Sequence, residues 1–137
     1  MLEKCTTNRN CKIISVEENG MRFIIKNNNM INVDQIKVDG CLISGNEEKC
    51  DWAFKINEKN KVLFVELKGA NIKKAISQID STLNKTKKYF EKTNKECFIV
   101  SSRVPALSHE VMAAKINFHK KYSALLNIKN VKYIYDI

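Results

Sequence analysis

The stretch KVLFVELKGANIKKAISQI, Lys61–Ile79, decides the fold. In a strand, successive side chains alternate faces. Val62, Phe64, Glu66 and Lys68 then share one side, and Lys61, Leu63, Val65 and Leu67 the other. Both sides are mainly apolar, the pattern of a central strand covered above and below. After Gly69 the period changes. Ile72, Ala75, Ile76, Ile79, Leu83 and Phe90 fall on one helical face, which predicts a helix over about 71–93. The strand ends in Glu66-Leu67-Lys68, and a carboxylate and an ammonium there are costly unless they pair or bind something.

Upstream, KCDWAFKI (49–56) sets Cys50, Trp52, Phe54 and Ile56 against Lys49, Asp51, Ala53 and Lys55 in period two. Asn57-Glu58-Lys59-Asn60 reads as a hairpin loop joining it to residues 61–68. MRFIIKN (21–27) and MINVDQIKV (30–38) read as two strands linked by an Asn-rich turn, with a short run at 41–43. CTTNRNCKIISVEENG (5–20) forms no convincing helix. Downstream, ECFIVSS (96–102) is a buried strand by composition. Ser108 caps a helix over 109–126, and VKYIYDI (131–137) is a last strand. The order predicts one α/β domain spanning residues 1–137, a mixed central β-sheet flanked by helices.

Asp51 opens one strand of the hairpin whose other strand ends in Glu66 and Lys68. Twist brings the two carboxylates together at the open end, where their repulsion calls for a hard divalent cation. Such a cation leaves positions for water and a phosphate oxygen, with Lys68 beside it to orient the water or steady developing charge. The chemistry is phosphodiester hydrolysis.

Asp51, fourteen intervening residues and then Glu66-Leu67-Lys68 at the end of an apolar strand resemble the PD-(D/E)xK nuclease superfamily, over residues 36 to 102. The resemblance implies a restriction-endonuclease-like core and a metal-dependent nuclease acting on DNA. It implies that Asp51 and Glu66, with the Leu67 carbonyl, hold Mg²⁺ or Mn²⁺, and that Lys68 assists the nucleophilic water. Gln78, on the following helix, resembles a glutamine that some members place near the site. Cys50 stands where the family's name has proline. The further acid that many members carry on a first helix has no clear counterpart, leaving Glu3, Glu17 and Asp39 as candidates. A core that is completed by a partner, or that binds nucleic acid or a larger complex without cutting, is the alternative reading.

Charge agrees with a polyanionic partner: 24 Lys and Arg against 15 Asp and Glu, net +9, with only Arg9, Arg22 and Arg103 as arginines. A lysine excess suits phosphate attraction better than bidentate base reading. Lys85, Lys87, Lys88, Lys92 and Lys95 form a candidate phosphate-tracking ridge, equally explained as a solvated face. Cys5, Cys11, Cys41, Cys50 and Cys97 contain no CxxC pair and read as free thiols in a reducing cytoplasm. No segment is long and apolar enough for a membrane span, and the first residues open no signal peptide. The terminal strand is a candidate edge for pairing in a homodimer or with a partner subunit.

Overall fold

A computed structural model describes residues 2–68, 70–103 and 108–137. The chain runs β1 (Thr6–Arg9), β2 (Ile13–Glu18), β3 (Met21–Lys26), β4 (Val33–Lys37), β5 (Trp52–Ile56), β6 (Lys61–Lys68) and α1 (Ile72–Lys85). It continues through β7 (Asn94–Ser101), α2 (His109–Tyr122), β8 (Ala124–Asn130) and β9 (Lys132–Asp136). Six strands form a mixed sheet in the order β1-β4-β5-β6-β7-β8, and β2-β3-β9 form a second sheet. β5 and β6 pair antiparallel as the hairpin pattern predicts, from Trp52↔Val65 to Ile56↔Lys61. β6, β7 and β8 are parallel.

The two faces of β6 are both buried, by different layers. Val62 and Phe64 pack with Ala75, Ile79 and Leu83 of α1 and with Ala114, Phe118 and Tyr122 of α2. Leu63, Val65 and Leu67 pack with Ile14, Val16, Phe23 and Ile25 of the second sheet. The large sheet is therefore covered by helices on one face and by a sheet on the other. The expectation of flanking helices is corrected on that second face. The Asn-rich turn passes the chain between the sheets, with Asn27 bonding both the amide and the carbonyl of Ile31 at 3.1 and 2.8 Å.

Several boundaries differ for physical reasons. α1 ends at Lys85, not near residue 93. Thr86 returns its hydroxyl to the Thr82 carbonyl at 2.7 Å, and the chain tightens into a 3₁₀ turn, Lys87–Tyr89. Phe90 still reaches the core, edge-on to Phe64 at 5.6 Å, from this irregular segment. α2 ends at Tyr122 because Ser123 is left-handed, with φ 53°. Beyond it Ala124 and Leu126 are buried and Leu125 is exposed, a period of two, so 124–126 is strand rather than helix. β1 and β2 were not expected. β1 is a polar edge strand formed through its pairing with β4.

The cysteines are not all free. β1 runs antiparallel to β4, with Thr6 opposite Ile36, which carries Cys5 to the loop after β4. There it is bonded to Cys41, at a Cα–Cα distance of 5.7 Å and a sequence separation of 36. Cys11, Cys50 and Cys97 are free thiols. Closing a loop of this length is worth about 3–4 kcal/mol through the unfolded chain. The expected result is that a dithiol reductant lowers the urea midpoint of the wild type to that of a Cys5→Ala/Cys41→Ala variant. A wild-type midpoint indifferent to reductant would show that the bridge contributes nothing.

No helix among the described residues is long and apolar enough to cross a membrane.

Candidate functional site: a carboxylate pair at a strand bulge

The site begins with a break in the ladder between β5 and β6. Trp52 is the register partner of Val65, yet the Asp51 amide also donates to the Val65 carbonyl, at 3.2 Å. Two residues opposite one make a β-bulge, which re-aims side chains. The expected alternation accordingly breaks here: Cys50 packs on the helical side, while Trp52 and Phe54 pack on the side of the second sheet. The Leu67 amide then donates to Asp51 Oδ2 at 2.9 Å, so the carboxylate takes the place of the next rung. A strand residue turns its N–H and C=O toward the same neighbour. The Leu67 carbonyl thus faces the same opening.

Neighbouring backbone holds Asp51 from both directions. Its carbonyl accepts from the amides of Val38 and Asp39, at 3.2 and 3.4 Å. α1 clamps the residues before it: Thr82 Oγ1 accepts from the Cys50 amide at 2.8 Å, and Gln78 Nε2 donates to the Lys49 carbonyl at 3.2 Å. Gln78 and Thr82 lie four apart on the inward face of α1, polar interruptions in an apolar stripe. The sequence signal for Thr82 is its place four residues after Gln78 on an otherwise apolar stripe.

The electrostatics are those of two acids forced together. Glu66 is only 2% exposed. Burial first, and the Asp51 charge second, raise its pKa to about 8, against Lys68 and the Asp51 amide, which lower it. Asp51 is raised to about 6, chiefly by burial, with Glu18 and Asp39 adding to the rise and the Leu67 amide and Lys68 opposing it. Glu18, at the end of β2, therefore acts on both carboxylates and had not been singled out. Burial pushes the Cys50 thiol well up, so this cysteine is no nucleophile. Glu66 Oε1 and Gln78 Oε1 are buried oxygens without a hydrogen-bond donor among the described residues.

Asp51, Glu66, Leu67 and Lys68 are thus neighbours, whereas Gln78 reaches the Lys49 carbonyl, two residues before Asp51. The lysine ridge is not among these neighbours. Lys61 is the register partner of Asn94, and Lys68 that of Ser101, so Lys92 and Lys95 lie at the opening of β7, beside the far end of β6. Seven residue steps separate those ends, roughly 23 Å at 3.3 Å per residue. α1 reaches Lys85 only at its last residue, after starting just beyond Lys68. Lys85 lies 3.5 Å from Glu47, and the Lys87 and Lys88 ammonium groups sit over the rings of Tyr122 and Tyr89. A cavity of about 420 Å³ between α2 and β8, lined by Ile116, His119 and Leu125 among others, includes none of the carboxylate-site residues.

No three or more His, Cys, Asp or Glu side chains group to hold a metal among the described residues. No family model, no curated protein and no solved structure matches the chain.

Proposed function

We propose that the protein is a metal-dependent nuclease with a restriction-endonuclease-like core, hydrolysing phosphodiester bonds in DNA. The observation that carries this reading is the bulge that turns Asp51 onto the end of β6, beside a buried Glu66 and within the field of Lys68. The donor set fits a hard cation such as Mg²⁺ or Mn²⁺. It consists only of oxygens, two of its members repel one another, and Glu66 Oε1 and Gln78 Oε1 lack donors. Asp51, Glu66 and the Leu67 carbonyl would hold the ion, three ligands of which two are side chains. Such an ion, when bound, supplies the charge that eases deprotonation of an attacking water and polarises the scissile phosphate.

The chain's own residues do the rest. The Leu67 amide commits one Asp51 oxygen and fixes the direction of the other, so little reorganisation is needed on binding. Gln78 and Thr82 hold the backbone on which Asp51 is carried. Lys68 places positive charge where the transition state gathers negative charge, an interaction stronger there than in the ground state.

The test is cleavage of duplex, single-stranded, branched and RNA substrates by the wild type, Asp51→Ala, Glu66→Ala and Lys68→Ala, in Mg²⁺ and in EDTA. Lys68→Ala is expected to lower turnover about 10²–10³-fold with substrate affinity nearly unchanged. Cleavage that survives the substitutions and the chelator would overturn the assignment. Binding without cleavage under every condition would leave the alternative, a nuclease-fold subunit that binds without cutting.

A further inference from the structure

We infer that the nucleic-acid backbone is held along the seam of the two sheets, by Arg22, Arg103, Lys129 and Lys132, and not by the lysines of residues 85–95. The inference rests on the nuclease reading above and names the surface that serves that site. One residue stitches the sheets together at the level of the carboxylates. The Val131 amide donates to the Ser101 carbonyl at 2.7 Å, and the Val131 carbonyl accepts from the Arg22 amide at 2.9 Å. Ser101 ends β7 as the partner of Lys68 and is paired in turn with Asn130 of β8. Arg22, the second residue of β3, is the partner of Lys132, which opens β9. A continuous backbone path therefore runs from Lys68 through Ser101 and Val131 to Lys132 and Arg22, whose side chains stand on the outer face of the small sheet, opposite the inward Phe23 and Tyr133.

The spacing suits a phosphate chain. Adjacent strands lie about 4.8 Å apart, which puts the end of β8 roughly 10 Å from Lys68. That is about three base-pair steps measured along a duplex axis, at 3.4 Å each. Arg22, Arg103, Lys129 and Lys132 are all exposed. Two of the chain's three arginines are among them, and the guanidinium fork is the group best matched to phosphate. The Arg22 side chain pairs with the exposed Glu17 at 3.4 Å, a weak surface pair that a phosphate can replace. The Lys129 ammonium lies 5.4 Å over the Tyr133 ring, which narrows its positions before any ligand arrives. The ridge lysines face the far end of the sheet, too distant to steer a phosphate into the carboxylate pair.

The experiment is fluorescence anisotropy with a labelled DNA duplex and a labelled single strand, in EDTA over a range of salt. It compares the wild type, Arg22→Ala/Lys129→Ala/Lys132→Ala, and Lys88→Ala/Lys92→Ala/Lys95→Ala. All replaced side chains are exposed except Lys95, which is half-buried, and equal melting temperatures confirm intact folding. The seam variant should bind at least about tenfold more weakly, with a salt slope shallower by about 2–3, and the ridge variant within about twofold of wild type. A ridge variant as weak as the seam variant, or a wild type that does not bind, overturns the inference. Because no metal is present, the outcome is separate from that of catalysis. Seam-dependent binding without cleavage in Mg²⁺ overturns only the nuclease reading, and cleavage with seam-independent binding overturns only the track.

Discussion

Glu66→Gln is expected to leave the protein folded at pH 7 while reducing metal-dependent cleavage about 10³-fold. It is also expected to remove much of the metal-free protein's sensitivity to alkali. A glutamate ordinarily titrates near 4.3, and in the fold Glu66 is held up to about 8 by burial and by Asp51. Between those values the folded protein keeps a proton that the unfolded chain has released. Stability is then fullest below the unfolded pKa and is lost as pH rises through the folded one. Asp51 acts in the same direction with its upper limit near 6. The total is on the order of a few kcal/mol, since each tenfold change in proton affinity is worth about 1.4 kcal/mol. Glutamine imitates the protonated acid, so its melting temperature should fall less between pH 5 and pH 8 than that of the wild type. Mg²⁺ should recover the wild type at pH 8 and do little for the variant. Thermal melts at four pH values, with and without Mg²⁺, make the comparison. Parallel curves for the two proteins would show that Glu66 carries no such penalty and would remove it from the site.

Legibility in the sequence followed burial. Residues 61–68 were readable to the residue because six side chains in a row, Val62 to Leu67, must each find a covered position between two half-buried lysines, as a central strand provides. The start of α1 was readable from the change of period, and Asn71 caps it by accepting from the Lys74 amide. Its end was not, because Phe90 returns to the core from a turn and mimics a further helical position. The second sheet was hardest to see. β2 buries only Ile14 and Val16, and β9, the far strand of its sheet, arrives from the other end of the chain. Asp51 is singled out by its spacing from Glu66, but period two alone gives no hint of the bulge beside it. Nor does cysteine spacing reveal a bridge that depends on β1 finding β4. Glu18 was passed over for the same reason, since its sheet had not been recognised. What the sequence concealed was, in each case, a contact between segments distant along the chain.

The interface between the two sheets is also where a single substitution should cost most. Phe98 lies in the middle of β7, 1% exposed, beneath that sheet. Its ring centroid is 5.1 Å from that of Phe23, 4.8 Å from Tyr133 and 5.8 Å from Tyr135. These rings come from β3 and β9, so Phe98 is the side chain on which the sheets are pressed together. Phe98→Ala is expected to cost about 3–5 kcal/mol, through lost transfer energy and the cavity left among rings fixed by their own strands. Against a typical total of about 5–15 kcal/mol, that removes much of the stability. Phe98→Leu keeps most of the volume and should cost markedly less. The loss should reach the site as well. Phe98 is the register partner of Val65, whose carbonyl takes the Asp51 amide, and β2 ends at Glu18, beside the carboxylate pair. Urea denaturation gives the stability, and near-ultraviolet circular dichroism reports the aromatic cluster directly. A loss below about 1 kcal/mol with an unchanged aromatic spectrum would mean that the small sheet is held by something other than these rings. If the loss is as large as expected, the aromatic cluster around Phe98 is what holds the small sheet against the large one.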